Sequence, residues 1–314
     1  MAKFADITGW GKCLPPAVMT NDDFASVIDT SDEWIKTRSG IAERRVSHVP
    51  NSDLAAVAAK RAMAAAGARP EEIDLLILAS TSGDNIVPST AAYVQAKTDT
   101  LNAAVFDLNA GCSGFIYGLE TATAMIRAAG YKKVLVIGSE RLTWLVNFSD
   151  RGSGVLFGDG AGAVVLRAED QDDRGLLSVA LHADGKYGHL ISRPGGGSRY
   201  PIHTDDADRE QGFIHMRGNE VFKIAVRSLA EVSDEVLTAH GIKHEDVRWF
   251  IPHQANRRII DAVGQRLEIP REHVYINVER YGNTSAASVP IGLDELNRGG
   301  KINEGDIVLM SAFG

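Results

Sequence analysis

Gly67-Ala-Arg-Pro-Glu-Glu-Ile73-Asp-Leu-Leu-Ile77 and Gly241-Ile-Lys-His-Glu-Asp-Val247-Arg-Trp-Phe-Ile251 superpose without a gap at an offset of 174 residues. Each reads as a helix end, an acidic turn and a buried strand. Further on, Val105 to Gly114 (VFDLNAGCSG) matches Ile276 to Ser285 (INVERYGNTS) at an offset of 171, which pairs Gly111-Cys112-Ser113 with Gly282-Asn283-Thr284. The apolar run Val134 to Ile137 likewise matches Ile307 to Met310. Three ordered matches at a nearly constant offset imply two copies of one unit. The copies must pack together, because each alone leaves an apolar face uncovered. We place the first copy in residues 1–170 and the second in 171–314. In the first, the 134–137 run is followed by a further strand, Gly162 to Arg167, whereas the second copy stops at Gly314 before any counterpart. The repeat therefore leads us to expect a second copy that lacks its last strand and a native chain that runs on past Gly314.

The runs Leu75-Leu76-Ile77-Leu78, Val134-Leu135-Val136-Ile137 and Ile307-Val308-Leu309 are continuously apolar, as central strands covered on both faces are. Between them, helical periodicity marks Asp53 to Ala66, Phe115 to Ala129, Val221 to Ala239 and Ala255 to Leu267, and glycine ends or follows most of these. Thr30, three residues before Glu33, predicts a capping box for a short helix closing at Ser39-Gly40. The fold class is α/β. With 314 residues, 44% hydrophobic and 24% charged, the chain has ordinary globular usage and can bury a real core. Lys plus Arg number 33 against 41 Asp plus Glu, a net charge of −8, which argues against nucleic acid and membrane surfaces as partners. Any anionic partner must be met by a local basic face. Two cysteines suit a reducing compartment. The opening MAKFADITGWGKCLPP holds charge and helix breakers where a secretory apolar core would lie, and no window approaches the ~18 apolar residues of a span, so we expect a cytoplasmic protein.

Cys112 stands between the apolar run Ala104 to Leu108 and a helix opening near Ser113. Unpaired amides and the macrodipole at such a position favour a thiolate. The alternative is a buried cysteine acting as a small apolar residue. Cys13, in a Gly-Lys-Cys-Leu-Pro-Pro turn, reads as structural. His253 ends a strand and precedes a helix, where α/β sheets present functional groups. The repeat sets Asn283 opposite Cys112, and we expect both at the tops of central strands near the shared interface. A Cys-His-Asn set has two readings. In papain-like proteases the histidine is a base oriented by the asparagine, but those carry a different local signature and no duplicated core. In the other, the thiolate carries an acyl chain while neutral His253 and Asn283 donate hydrogen bonds to a developing enolate oxygen. Gly158-Asp-Gly160-Ala-Gly162 precedes a strand and Pro194-Gly-Gly-Gly-Ser198 lacks a P-loop ending, so both are expected to be turns. The nine histidines show no ligand spacing, and no metal is expected.

Asn-Ala-Gly-Cys112-Ser-Gly-Phe, Pro-His253-Gln-Ala-Asn, Gly-Asn283-Thr-Ser-Ala-Ala-Ser and the Phe-Gly-Asp-Gly-Ala-Gly-Ala of 157–163 together resemble the 3-ketoacyl-acyl-carrier-protein synthase III family of thiolase-like condensing enzymes. The likeness runs along essentially the whole chain. It implies a duplicated thiolase-like fold of five layers, α-β-α-β-α, in a homodimer. It implies that Cys112 takes an acyl group from coenzyme A, and that malonyl-acyl-carrier protein then loses CO2 between His253 and Asn283 and attacks the thioester. Coenzyme A is a substrate thioester and no cofactor is implied. By the same resemblance Trp34 and Arg151 match an adenine sandwich, Arg38 a phosphate contact and Asn219 a pantetheine-tunnel residue. Lys223 and Arg258 match carrier-docking positions. On the helix after His253, Arg257, Arg258 and Gln265, with Arg266 at their edge, lie opposite the arc of Asn256, Ile259, Ile260, Val263 and Leu267, which suits a basic docking face or simply a solvated one. Asn85 to Ser89 matches a loop that reaches the partner's acyl pocket. Valine at 87, where acetyl-preferring members carry an aromatic, implies room for longer primers. In the family a glycine-rich turn beyond Gly314 supplies a second oxyanion amide, so a chain ending at Gly314 is expected to condense poorly. A member that acylates a hydroxyl or amine, and an inactive scaffold, share every motif above.

Overall fold

The computed structural model describes residues 4–170, 174–201 and 209–314, so the 170/171 boundary meets residues outside those described. In chain order the strands are β1 (Phe4–Cys13), β2 (Ala17–Thr20), β3 (Glu43–Val46), β4 (Leu75–Ala79), β5 (Ala104–Leu108), β6 (Lys133–Arg141), β7 (Asp159–Glu169), β8 (Ile191–Ser192), β9 (His215–Met216), β10 (Val247–Pro252) and β11 (Ile307–Ser311). The α-helices are α1 (Asn21–Ala25), α2 (Asp32–Ser39), α3 (Asn51–Ala66), α4 (Thr90–Thr98), α5 (Gly114–Ala129), α6 (Gly218–Ala239), α7 (Arg257–Arg266), α8 (Val278–Tyr281) and α9 (Ser288–Arg298). One sheet runs β1-β7-β6-β4-β5, with β4 parallel to both β5 and β6, and β7 antiparallel to β6 and β1. The parallel pair β10 and β11 is the second copy's counterpart of β4 and β6.

Alternation along these strands builds the layers, because successive side chains leave a strand on opposite faces. Leu76, Leu78, Leu135 and Ile137 pack outward with Leu54, Ala58 and Ala62 of α3. Leu75, Ile77, Val134 and Val136 face inward, onto Phe115, Leu119 and Ile126 of α5 and Val289, Leu293 and Leu296 of α9. Trp249, Ile251, Val308 and Met310 close the same central layer from the other sheet. Val247, Phe250 and Leu309 point the opposite way, onto α6 and α7. The order is thus helices, sheet, helices, sheet, helices, as the resemblance implies.

The repeat is visible in backbone detail. Gly67 and Gly241 both follow helices at positive φ, 60° and 63°, and both lead through a single 3-10 turn into a buried strand. The matched segments then part. Val105 to Leu108 is strand, whereas the second segment leaves the sheet after a bridge of Val274 with Phe250, just before Ile276, and turns into α8. The buried Gln254 side chain causes this turn, since its Oε1 accepts the N–H groups of both Asn277 and Val278. The expectation that Cys112 and Asn283 both top central strands is therefore corrected. Cys112 follows β5, an edge strand in this chain, and Asn283 follows a helical turn.

Two local expectations also change. Gly158 to Gly162 enters β7 and is no turn; a methyl on Gly158 would lie 2.3 Å from the Tyr281 carbonyl oxygen, and one on Gly162 2.7 Å from Ile291 N. These glycines let the two copies touch through backbone. Helix α2 is capped by Ser31, whose hydroxyl accepts Trp34 N–H at 3.1 Å, because the helix begins one residue later than a Thr30 to Glu33 box requires. Residues 14–46, although early in the chain, lie on the second copy. Phe24, Ile35 and Ile41 are buried with Ile259, Ile260 and Val263, and Asn256 Nδ2 donates to the Arg38 carbonyl at 3.0 Å.

Candidate functional site

Beyond β5 the Asn109 side chain accepts the Gly111 N–H, and Gly111 takes φ 57°, a left-handed turn that glycine makes without strain. Gly114 N–H then donates to the Gly111 carbonyl at 3.0 Å, and α5 begins. Cys112 is held at this corner with part of its surface exposed, and a methyl on Gly314 would stand 2.3 Å from its amide nitrogen. The expected low-pKa thiol is corrected. Desolvation pushes it up to about 11, the Ser285 hydroxyl pulls it down, and the charge of Glu140 raises it again. Burial outweighs the helix terminus here. Cys112 rests as a thiol.

His253 follows β10 and is 2% exposed, with its N–H on the Ser311 carbonyl at 2.7 Å. Burial lowers it to about 4, so the ring is neutral at pH 7. Its Nδ1 meets Ser288 Oγ at 2.7 Å, and that oxygen also accepts Gln254 N–H at 3.3 Å. When the Ser288 hydroxyl gives its proton to Nδ1, the ring proton sits on Nε2, the other edge. Asn283, 7% exposed, is fixed by backbone bonds to Leu156 and Gly158, and its Oδ1 accepts Ser285 N–H at 2.8 Å. With its oxygen engaged, the Asn283 amide offers its two N–H groups.

Ser285 joins these pieces. It adopts φ 47°, a conformation a non-glycine residue rarely holds, and the Asn283 side chain braces it there. Its Oγ reaches Glu140 Oε1 at 3.0 Å and faces the Cys112 thiol. Sequence reading missed Glu140, Ser285 and Ser288 as functional groups. Both serines lie within the quoted motif Gly-Asn283-Thr-Ser-Ala-Ala-Ser, five residues from end to end after Asn283. Their signal was present in spacing but hidden by their ordinary residue type.

The structure brings Trp34, Arg38 and Arg151 together. The Arg38 and Arg151 guanidinium carbons lie 4.4 and 5.2 Å from the Trp34 ring centroid, and Arg151 also donates to the Asp29 carbonyl. Asn219 is exposed in the first turn of α6. One turn on, Lys223 is exposed, and the exposed Arg258 of α7 lies over the ring of its chain neighbour Phe222 at 5.5 Å. Arg257, by contrast, is tied to Asp261 at 2.9 Å. Val87 is 83% exposed next to Ile86 at 84%, and neither lines the cleft described below. Cys13 is partly buried, and burial raises its thiol. A cleft of about 1180 Å³ lies between residues 176–184, α6 and 306–314; Ala110, Ser113 and Gly314 line it, but Cys112, His253 and Asn283 do not. Among the described residues no cluster of three or more His, Cys, Asp or Glu is placed to hold a metal, and no helix is long and apolar enough to cross a membrane.

Residues 106–185 match the family model described as 3-oxoacyl-[acyl-carrier-protein] synthase III, and 237–314 match that of its C-terminal part. A beta-ketoacyl-[acyl-carrier-protein] synthase III from Xanthomonas campestris pv. campestris is 47% identical over 313 residues, spanning 99% of this chain and 95% of that protein. One of the same name from Caldanaerobacter subterraneus subsp. tengcongensis is 48% identical, over 99% and 94%. The crystal structure of the Aquifex aeolicus VF5 3-oxoacyl-[acyl-carrier-protein] synthase III superposes with a TM-score of 0.91 at 45% identity, covering 99% of this chain and 96% of that one.

Proposed function

The chain belongs to the 3-oxoacyl-[acyl-carrier-protein] synthase III family, and from that premise we propose how its own residues divide the reaction. It starts fatty-acid synthesis by decarboxylative Claisen condensation of an acyl-CoA with malonyl-acyl-carrier protein, giving 3-ketoacyl-acyl-carrier protein. Transfer to a hydroxyl or amine, and a non-catalytic scaffold, are not favoured by relatives at 47 and 48% identity named for condensation.

Cys112 is the acyl acceptor. After it is acylated, His253 Nε2–H and the Asn283 amide donate to the malonyl thioester oxygen as CO2 departs and that oxygen becomes an enolate. Donors fixed beforehand favour the charge where it develops, because they need no reorganisation during reaction. The observation that carries this assignment is the Ser285 N–H on Asn283 Oδ1, together with a histidine kept neutral by burial. The Asn283 donors are thus set before substrate arrives, and a neutral ring has one N–H to give. Trp34 and Arg151 take the adenine of coenzyme A between them, Arg38 meets its phosphates, and Asn219 lies along the pantetheine path. Lys223 and Arg258 dock the acidic carrier protein. The protein is a cytoplasmic homodimer; the dimer is supported by β5, whose outer edge is unpaired among the described residues, and by the exposed apolar tip Ile86-Val87 that would reach the partner's acyl pocket. With valine at that tip, primers longer than acetyl are accepted.

The test is direct. After incubation with acyl-CoA, intact mass should show one acyl group, mapped to Cys112; malonyl-carrier protein should then discharge it with release of CO2. An acyl group elsewhere, or none, overturns the assignment.

A further inference from the structure

Glu140, at the end of β6, is a fully buried carboxyl that the steps above leave idle. It accepts Thr81 N–H at 3.2 Å, the Thr81, Ser80 and Ser82 hydroxyls, and the Ser285 hydroxyl at 3.0 Å. No cation pairs with it among the described residues. Burial raises its proton affinity above that of an ordinary glutamate, against the pull of the hydroxyls. The titratable groups around it are Cys112, across Ser285, and Arg141, next along β6, whose charge acts on Asp159. Asp159 makes a useful contrast. It too is buried, but its acceptors are filled by Ser47 and Thr143, which tie loops together. Glu140 reaches the reacting sulfur through one hydroxyl.

Electrostatics alone would never install a carboxylate beside a thiol that has to ionise, since like charge opposes the thiolate. The arrangement makes sense if the carboxylate receives the proton. We infer that Glu140, acting through Ser285, takes up the Cys112 proton during acylation. The Cys112 S–H gives its proton to Ser285 Oγ while the Ser285 O–H gives its own to Glu140 Oε1. The thiolate then attacks the acyl-CoA carbonyl carbon, the carbon–sulfur bond to coenzyme A breaks, and Glu140 returns the proton through Ser285 Oγ, which now donates to the departing coenzyme A sulfur. Glu140 is thus a positioning and proton-holding residue. The inference rests on Cys112 being the acyl acceptor.

Glu140→Gln, made in a Cys13→Ala background, tests it by the pH profile of Cys112 alkylation with iodoacetamide and by single-turnover acylation from acyl-CoA. If Glu140 holds the proton, the parent keeps reactivity at pH 7 that the variant lacks, alkylation there falls tenfold or more, and acylation slows by roughly 100-fold. If Glu140 acts only as a fixed charge, its removal eases ionisation and alkylation at pH 7 rises; if it only packs, the melting temperature falls and the profile stays. Either result overturns the inference. Should Glu140→Gln fail to fold, Ser285→Ala keeps the carboxylate and breaks the path, and unaltered acylation there is equally fatal. A parent that alkylates as described but takes no acyl group from acyl-CoA would instead sink the condensing assignment.

Discussion

The corner Gly111-Cys112-Ser113 and its repeat partner Gly282-Asn283-Thr284 share a glycine at positive φ, 57° and 64°, and then diverge. The first follows an edge strand, keeps partial exposure and runs straight into the sixteen-residue α5. The second follows the turn imposed by Gln254, is buried from Tyr281 through Leu293, and reaches α9 through a 3-10 turn. One corner must admit an acyl chain and react; the other must hold a donor still. A single duplicated unit supplies both because the glycine sets the turn while the flanking segments decide how rigidly it is clamped.

Replacing the reactive side of this pair should have the largest effect. Cys112→Ala is expected to abolish acyl transfer, and Cys13→Ala to leave it nearly intact, read by intact mass after acyl-CoA. Next, Asn283→Ala and His253→Ala should each slow decarboxylation of malonyl-carrier protein by about 100-fold or more while affecting Cys112 acylation less. Equal loss of both steps would mean that the clamped corner serves the fold alone. Gly138→Ala probes the backbone contact between copies: the methyl would lie 2.2 Å from the Ala286 carbonyl oxygen, so denaturant unfolding should show a loss of about 2 kcal/mol or more. Gly67→Ala, with open space around a φ of 60°, should cost only about 1 kcal/mol.

Acid gives a finer test of the buried corner. The histidine titrates near 4 when folded and near its ordinary 6.5 when unfolded, so between these values the unfolded chain binds the extra proton. This group's contribution therefore makes stability fall as pH drops from 6.5 to 4, by roughly 3 kcal/mol in all, and His253→Gln should flatten that slope. The smallest effect is expected at the surface. Arg258→Glu or Lys223→Glu should raise KM for malonyl-carrier protein several-fold, leave acyl-CoA untouched, and the parental KM should itself rise with salt.

Much of this was legible in the sequence. The offset of the two helix-strand segments gave the duplication, and apolar runs such as Leu75 to Leu78 gave strands buried on both faces. Cys112, His253 and Asn283 stood out because reactive types at strand ends are few. What stayed hidden depends on distant partners. Nothing local says that Gln254 will turn residues 277–278 out of a strand, that Glu140 will meet Ser285 from 145 residues away, or that burial will hold Cys112 as a thiol. The glycines of 158–162 read as turns because a strand that needs close backbone approach has the same composition as a loop.

Residues 14–46 have a consequence for how the molecule comes into being. Their apolar side chains are covered by α7, and the Asn256 to Arg38 bond spans 218 positions of chain. On a ribosome adding 5–20 residues per second, the arm bearing Phe24, Ile35 and Ile41 emerges roughly ten to forty seconds before its cover. During that interval the first copy can complete its own sheet but must carry a greasy, unsheltered strap. Translation speed and the company of chaperones, more than the stability of the finished fold, should set how much of this protein a cell recovers.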